Sequence, residues 1–225
     1  MRNLSVLAKD CYMYIFSVLR LLIISLLALS PVIKLVHASD MPIEQGVKSN
    51  NPYLLVKDLA TNTFEKLRVD REQIENDPKH LIMIVEEELM PYIDHELASF
   101  IVLGKYFKSV PNSKISDYVS AFRTHLLHSF SNAMAYYTDQ TVIFEPPPDF
   151  EGKSALTVKA LISAKGEPDI EVAFKVRKSN KDDTWKAYDL VAQGVSLINT
   201  KRSEFQPILR QEGIDKVIEL MQKHN

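Results

Sequence analysis

Cysteine is nearly absent from this chain. Cys11 is the only one among 225 residues, and it lies in the apolar N-terminal segment. If that segment is removed, the remaining chain can form no disulfide, zinc–thiolate site or cysteine nucleophile. Burial of apolar side chains must then stabilise the fold, and the 187 residues after Ala38 are enough for one domain.

Glycine is also scarce, and neither sign of charge is in large excess. The six glycines are scattered singly, so no glycine-rich loop is available to bind phosphate. Gly194-Val195-Ser196 lacks the closing glycine of a hydrolase nucleophile turn. The net charge is −2, and it becomes −5 without the four basic and one acidic residues of 1–38. A mildly acidic chain has no electrostatic tendency to bind nucleic acid.

The one long apolar run lies at the N-terminus and is typical of an export signal. Basic side chains come first, residues 21–29 form an apolar core, and Val36-His37-Ala38 provides the small residues that a signal peptidase reads. We predict a signal peptide over residues 1–38, cleaved after Ala38, and therefore a periplasmic protein. Residues 39–50 are predicted to form a flexible, polar lead-in.

Two alternatives remain open for this segment. Translation could begin at Met13, which would leave a signal of ordinary length. The segment could also stay uncleaved as an anchor, because residues 11–36 are apolar enough to span a bilayer if Arg20 is tolerated. No cysteine directly follows the apolar core, so a lipid-modified N-terminus has no acceptor.

The next part of the chain carries the spacing of amphipathic helices. Asn51-Pro52 caps and begins the first helix, and Asp77-Pro78 begins a second helix that Pro91 should kink or end. An apolar helix is predicted over residues 97–107. The strongest pattern spans residues 114–137, where apolar side chains recur at helical spacing over six turns.

The apolar period then changes to two, which indicates strands. Alternation predicts antiparallel strands over residues 141–145, 156–162, 170–176 and 185–192. Helices before an antiparallel sheet are typical of the α+β class. We predict one domain over residues 51–225, with a helical part over 51–138, a sheet over 140–193 and C-terminal helices over 196–223.

Two histidines are candidate metal ligands. His125 and His128 lie three residues apart in the predicted long helix, off its apolar stripe. No third ligand stands at matching spacing, so we interpret both as solvent-facing and expect neither a metal site nor a cofactor.

Two aspartates are candidate general bases. Asp94 and Asp189 are the candidates for a carboxylate whose pKa an apolar pocket would raise. Asp189 shares a predicted strand face with Trp185, so burial of that face would require a partner such as Lys175 or Arg177. We favour a structural ion pair over a catalytic base.

Five segments, in order along the chain, carry a resemblance to a known family. They are NPYLLVKDLATNTFEKL (51–67), IVEEELMPYI (84–93), VLGKYFKS (102–109), YVSAFRTHLLHSF (118–130) and WKAYDLVAQGVSLINT (185–200). Together they resemble MlaC, the toluene-tolerance family of periplasmic phospholipid-binding proteins of the maintenance-of-lipid-asymmetry system. The resemblance covers roughly residues 51–220.

The resemblance implies a fold and a function. The fold would be a nuclear-transport-factor-like cone, in which a twisted antiparallel sheet wraps a long helix beside a helical subdomain. The protein would be a soluble carrier and not an enzyme, shuttling phospholipid between the outer and inner membranes. Implied partners are phospholipid, an outer-membrane lipoprotein–porin complex and the MCE-domain subunit of an inner-membrane ABC transporter. Two alternatives remain open: a cone-fold isomerase or hydratase with a buried aspartate base, or a carrier of another apolar lipid such as a hopanoid.

Apolar side chains in the predicted elements exceed what one sheet face needs. This surplus alone fits an ordinary core, whereas the resemblance implies a cavity that holds acyl tails. The predicted tail site comprises Leu89, Tyr92, Leu103, Tyr106, Phe122, Leu126, Phe130, Phe174, Tyr188, Leu190, Val195 and Leu197. Lys105, Lys108 and Arg123 could flank its mouth and meet phosphate, although ordinary surface charge explains them equally well.

Overall fold

The computed structural model describes residues 50–137, 139–146, 149–179 and 183–223. The predicted signal peptide and residues 39–49 of the lead-in lie outside this range. The helices are α1 (Pro52–Val69), α2 (Arg71–Asn76), α3 (Lys79–Ile84), α4 (His95–Leu103), α5 (Asn112–Met134), α6 (Leu197–Gln211) and α7 (Ile214–Lys223). The strands are β1 (Thr141–Phe144), β2 (Ala155–Ser163), β3 (Ile170–Lys178), β4 (Trp185–Ala192) and β5 (Val195–Ser196). These elements confirm the predicted α+β class.

Helix α1 begins where the sequence predicts. The Asn51 side chain accepts hydrogen bonds from the backbone N–H groups of Tyr53 and Leu54, and Pro52 occupies the first turn. This cap satisfies donors that a helix start otherwise leaves unpaired. The helix contacts strands β1 to β4, so it packs across most of the sheet, whereas among the described strands α6 contacts mainly β4 and β5 and α4 mainly β4. Within the described ranges, no helix has both the length and the hydrophobicity to cross a membrane.

The predicted second helix is interrupted near Pro91. An α-helical turn ends at Ile84, a π-helical segment covers Val85–Leu89, and a 3₁₀ turn covers Met90–Tyr92. Proline lacks the N–H that would continue the helical ladder, which explains why the geometry changes here. The following residue, Ile93, makes a parallel β-bridge with Ala187 of β4.

The prediction of one continuous helix over residues 97–107 is wrong beyond Leu103. Gly104 has a φ of +53°, and the chain continues as a 3₁₀ segment over Gly104–Ser109. A positive φ cannot occur inside a right-handed α-helix, and glycine adopts it without a steric penalty. Helix α4 therefore ends at the glycine.

Helix α5 is the centre of the helical half, in agreement with its strong periodicity. It packs against α4, α7 and α3. Tyr118 on its buried face is 0% exposed, and its hydroxyl donates to the carbonyl oxygen of Ser99 at 3.0 Å. Burial raises the pKa of the Tyr118 phenol well above its usual range.

The sheet is an antiparallel meander in the order β1-β2-β3-β4-β5. Its register shifts between Lys175 and Val176, because Val176 pairs with Ala187 whereas Lys175 pairs with Asp189. Tyr188 is the additional residue in β4, so a β-bulge interrupts the alternation of that strand.

Apolar side chains form two main cores. The helical core joins α4, α5, α6, α7 and the 85–90 segment, while the sheet core comprises Leu55, Val56, Val158, Val176, Trp185 and Ala187. Tyr92 and Ile93 pack against both cores. The turn after Pro91 therefore connects the helical half to the sheet.

Candidate functional site

One face of the sheet is apolar across all five strands. Cross-strand register aligns Phe144, Ala160, Val172, Ala192 and Val195 in a single row, with one residue from each strand. Residues directly opposite one another on neighbouring strands point to the same side of a sheet. We call this side of the sheet, including the neighbouring rows of side chains on it, the apolar face.

Parallel rows extend the apolar face along the strands. Val158, Phe174 and Leu190 form the row on one side, followed by Leu156, Val176 and Ala187. On the other side, Val142, Ile162 and Ile170 form a third neighbouring row. The described residues thus provide a surface on which hydrocarbon can lie without meeting an ion pair.

Burial of the apolar face changes along the strands. At one end Val158, Val176 and Trp185 are at most 1% exposed. At the other end Ile170 is 36% exposed, and Val142 and Ile162 of the same row are half-buried. In the central row Ala160 and Val172 are 2% and 5% exposed, and only towards the edge strand β5 does the row open, with Val195 53% exposed. The face is therefore closed at the Trp185 end and open at the Ile170 end.

Helix α1 closes the buried end. Leu55 and Val56 pack into the sheet core, and the ring of Tyr53 contacts Phe144 edge-to-face, with 5.9 Å between the centroids. The indole Nε1 of Trp185 donates to the carbonyl oxygen of Asn50 at 3.2 Å. This bond satisfies the polar atom of an otherwise buried ring and fixes its position.

The β-bulge at Tyr188 places Asp189 on the face of the sheet opposite to the one that the sequence predicts. The sequence placed this aspartate on the same strand face as Trp185 and Ala187. Because of the bulge, Ala187 pairs with Val176 on the apolar face, while Asp189 pairs with Lys175 on the opposite face. Simple alternation was the wrong assumption, since one additional residue reverses the side to which later side chains point.

Asp189 has a complete set of hydrogen-bond donors. Its Oδ2 accepts from Lys175 Nζ at 2.9 Å and from Ser196 Oγ at 2.8 Å, and its Oδ1 accepts from the Ile198 N–H at 3.1 Å. The predicted ion pair with Lys175 is present. The carboxylate joins β3, β5 and the first turn of α6, which is a structural arrangement rather than that of a free base.

Asp94 is likewise engaged, on the side of β4 nearest the helical half. Both Nε and Nη2 of Arg177 donate to its Oδ2, at 3.0 and 2.7 Å, and its Oδ1 accepts from the Leu97 N–H at the start of α4. Its own N–H donates to the carbonyl oxygen of Ala187 at 2.7 Å. Asp94 therefore caps a helix and binds the sheet to it.

Tyr92 and His95 lie close to Asp94 in the chain, where the helical half meets β4. Burial raises the pKa of the Tyr92 phenol, and the nearby carboxylates of Glu88 and Asp58 raise it further. Burial lowers the pKa of His95, and the positive charge of Arg123 lowers it further. Both shifts favour the neutral side chain, which suits a junction between two apolar cores.

The structure divides the twelve predicted tail-site residues between the helices and the sheet. Those in or against the helical core are Leu89, Tyr92, Leu103, Tyr106, Phe122, Leu126, Phe130, Tyr188 and Leu197. Phe174, Leu190 and Val195 instead lie together on the apolar face. Leu103, Phe122 and Leu126 are at most 3% exposed among the helices, so they pack the core in this conformation. Their part in binding stays a prediction.

Several apolar-face residues were absent from the predicted site. They are Val142, Phe144, Leu156, Val158, Ala160, Ile162, Ile170, Val172, Val176, Ala187 and Ala192. The alternation in β2 and β3 was visible in the sequence and indicated one apolar side per strand. The side from which a ligand could approach was not visible, because it depends on where α1 packs.

The three cations proposed for a mouth differ in their surroundings. Nη1 of Arg123 donates to Glu86 Oε2 at 3.0 Å, so this guanidinium is engaged within the helical half. Lys105 Nζ lies 5.2 Å from the centroid of the Tyr106 ring, and Lys108 is exposed. All three belong to helical segments, and their role in binding phosphate stays a prediction.

The prediction that His125 faces solvent is wrong. His125 is 7% exposed, and its ring contacts Phe205 edge-to-face with 5.9 Å between centroids. Phe205 belongs to α6, one of the predicted C-terminal helices, and the sequence does not show that this helix brings the Phe205 ring against His125. Over the part of the chain that the structure describes, no group of three His, Cys, Asp or Glu side chains could hold a metal ion.

A small pocket also opens in the helical half. Its volume is about 270 Å³, and its lining residues are Tyr106, Ser109, Val110, Pro111, Leu209, Gly213 and Ile214. Sites for drug-sized ligands are typically about 300–1,000 Å³. This pocket is therefore too small for two acyl tails.

The fold and the apolar face together define an α+β protein suited to holding an apolar ligand against a sheet. The MlaC protein family model matches residues 57–223 of the chain. The chain belongs to the MlaC family.

Individual relatives agree with this assignment. The chain is 30% identical over 179 residues to the intermembrane phospholipid transport system binding protein MlaC of Haemophilus influenzae, covering 79% of this chain and 84% of that protein. It is 21% identical over 176 residues to the toluene tolerance protein ttg2D of Pseudomonas putida, covering 77% and 80%.

A solved structure shares the fold. It is the phospholipid-binding protein from Ralstonia solanacearum in complex with a phospholipid, with a TM-score of 0.69 and 18% identity. The match covers 77% of this chain and 96% of that one. At this identity the likeness establishes the common fold.

Proposed function

We propose that this chain is a periplasmic carrier that holds phospholipid acyl tails on the apolar face and moves lipid between the inner and outer membranes. The observation that carries the proposal is the apolar face itself, which is open where Ile170 and Val195 are exposed. Two similar proteins support the proposal: the Haemophilus influenzae protein is named for phospholipid transport, and the Ralstonia solanacearum protein is named for phospholipid binding.

The dimensions of the apolar face suit an acyl tail. From Ile170 to Phe174 it extends about 13 Å before it reaches the buried Val176 of the sheet core, because a strand rises about 3.3–3.4 Å per residue. One leaflet of a bilayer provides about 15 Å of hydrocarbon, which is half the usual core thickness. Most of a tail of ordinary length can therefore lie along the strands in contact with the apolar rows.

The energetics explain why such a carrier needs no reaction of its own. Each methylene taken from water contributes about 0.8 kcal/mol, so some thirty methylenes contribute roughly 20–25 kcal/mol. A bilayer offers the tails a similar environment, so transfer between carrier and membrane is nearly balanced. Direction must then come from the partners, which we propose to be an outer-membrane lipoprotein–porin complex and the MCE-domain subunit of an ABC transporter.

The test introduces a charge on each side of the same sheet. Phe174 lies half-buried in the middle of the apolar face, whereas Ile143 is 55% exposed and belongs to the opposite face of β1. Phe174→Asp should lower the phospholipid extracted per mole of protein by about a hundred-fold, because a charge within hydrocarbon costs about 2.5–3.5 kcal/mol. Ile143→Asp should retain it.

Lipid mass spectrometry of protein purified from the periplasm is the measurement. Wild-type protein without extractable lipid would contradict the proposal. Equal lipid in both variants would exclude the apolar face as the tail site. A hopanoid in place of phospholipid would keep the carrier and change its cargo.

A further inference from the structure

The closed end of the apolar face is built like the floor of a groove. Leu55 and Val56 of α1 pack against Val158, Val176 and Trp185, and all five are at most 4% exposed. A tail that lies along the strands therefore ends where the sheet core begins. Phe174 and Leu190 are half-buried, whereas Val176 and Ala187 of the next row are at most 3% exposed. The row that contains Val158, Phe174 and Leu190 is therefore the last one that a tail can reach.

The distance from this floor to the open end is short. The Val158 row and the Ile162 row lie four residues apart on β2, which corresponds to about 13 Å. This is close to the roughly 15 Å of hydrocarbon in one leaflet. A longer tail would have to leave the methylenes nearest its head group in water beyond Ile170.

We infer that Val158, together with the α1 residues packed on it, determines the longest acyl chain that the protein holds. This inference rests on the proposed function and names a selectivity that the fold builds into it. The selectivity is for tail length and does not depend on the head group. The floor lies at the end of the apolar face farthest from the exposed rim, which is formed by Ile170 and Val195.

Substitutions of opposite size at the floor test the inference. Val158→Ala removes two methyl groups and deepens the groove, while Val158→Phe fills its last row. Val217→Ala is the matched control, because Val217 is as buried as Val158 (0% and 1% exposed) but lies in the helical core. It leaves a similar void far from the apolar face.

The experiment offers delipidated protein an equimolar mixture of phosphatidylglycerols with saturated tails of twelve to twenty carbons, and bound lipid is quantified by mass spectrometry. Each additional methylene that the groove can bury, or can no longer bury, should change the amount of the longest tails bound, relative to shorter tails, by about four-fold. The share of long tails should rise in Val158→Ala and fall in Val158→Phe, with Val217→Ala like wild type.

The possible results distinguish a failure of the tail-length limit at Val158 from a failure of the proposed lipid carrier. Val158→Ala alone decides the matter if Val158→Phe does not fold, which thermal melting will show. Lipid bound with the wild-type length profile in Val158→Ala overturns the floor and leaves the carrier intact. An absence of bound lipid in wild-type protein overturns the carrier and the floor together.

Discussion

Replacement of Asp189 by asparagine tests whether this carboxylate is a structural link. Its side chain is 3% exposed and accepts from Lys175, Ser196 and the Ile198 N–H. Asparagine keeps the shape but loses the charge, and its amide nitrogen cannot accept from a donor. A hydrogen bond to a charged group contributes about 1.5–3 kcal/mol, so loss of one and weakening of two should cost roughly 2–4 kcal/mol.

The corresponding assay is thermal unfolding followed by far-UV circular dichroism. For a domain of this size, each kcal/mol lowers Tm by about 2–4 °C, so Asp189→Asn should melt roughly 5–15 °C below wild type. The lipid bound per folded molecule should not change, because Asp189 lies on the side of the sheet opposite the apolar face.

A second lysine–aspartate pair, between the end of β3 and the connection to β4, provides the control. Lys178 Nζ and Asp183 Oδ2 are 3.5 Å apart, but the Asp183 side chain is 81% exposed. Exposed pairs contribute about 0–1 kcal/mol, so Asp183→Asn should melt within a few degrees of wild type. If Asp189→Asn and Asp183→Asn had the same Tm, the buried Asp189 carboxylate would not have the structural role argued for it.

Two further predictions concern pH. Burial raises the pKa of Tyr118, so its phenol should resist ionisation in the native state, and stability should fall as pH rises above about 10, where the unfolded phenol ionises. Absorbance at alkaline pH should show this phenol titrating only with unfolding, and early titration of every tyrosine would contradict it. The hydrogen bond with His80 lowers the pKa of Asp70, and Lys66 lowers it further. The Tm difference between wild type and Asp70→Asn should therefore be full at neutral pH and shrink as pH falls below about 4. A constant difference would show that the pair contributes nothing.

The helices and strands could be predicted because their signals are local. Asn51-Pro52 begins α1 as a cap should, and alternation located β2 and β3. The β-bulge at Tyr188 has no local signal, so the sides of Asp189 and Leu190 could not be derived from alternation. The burial of His125 depends on Phe205, eighty residues away, and no helical pattern contains that contact.

The candidate site was harder to predict than the fold for the same reason. Aromatic residues such as Phe122 and Phe174 look alike in a sequence, since both are large and apolar. The structure separates them, because Phe122 fills the space between helices whereas Phe174 lies half-buried on the sheet. Which apolar side chains remain accessible depends on long-range packing.

The bond between Trp185 and Asn50 has a practical consequence for handling the protein. It brings the start of the domain next to the closed end of the sheet, opposite the rim where Ile170 and Val195 are exposed. An affinity tag or surface tether joined ahead of Asn50 would thus leave the rim unobstructed. Trimming that removed Asn50 itself would deprive the buried indole of its acceptor and loosen the end of the sheet that α1 covers.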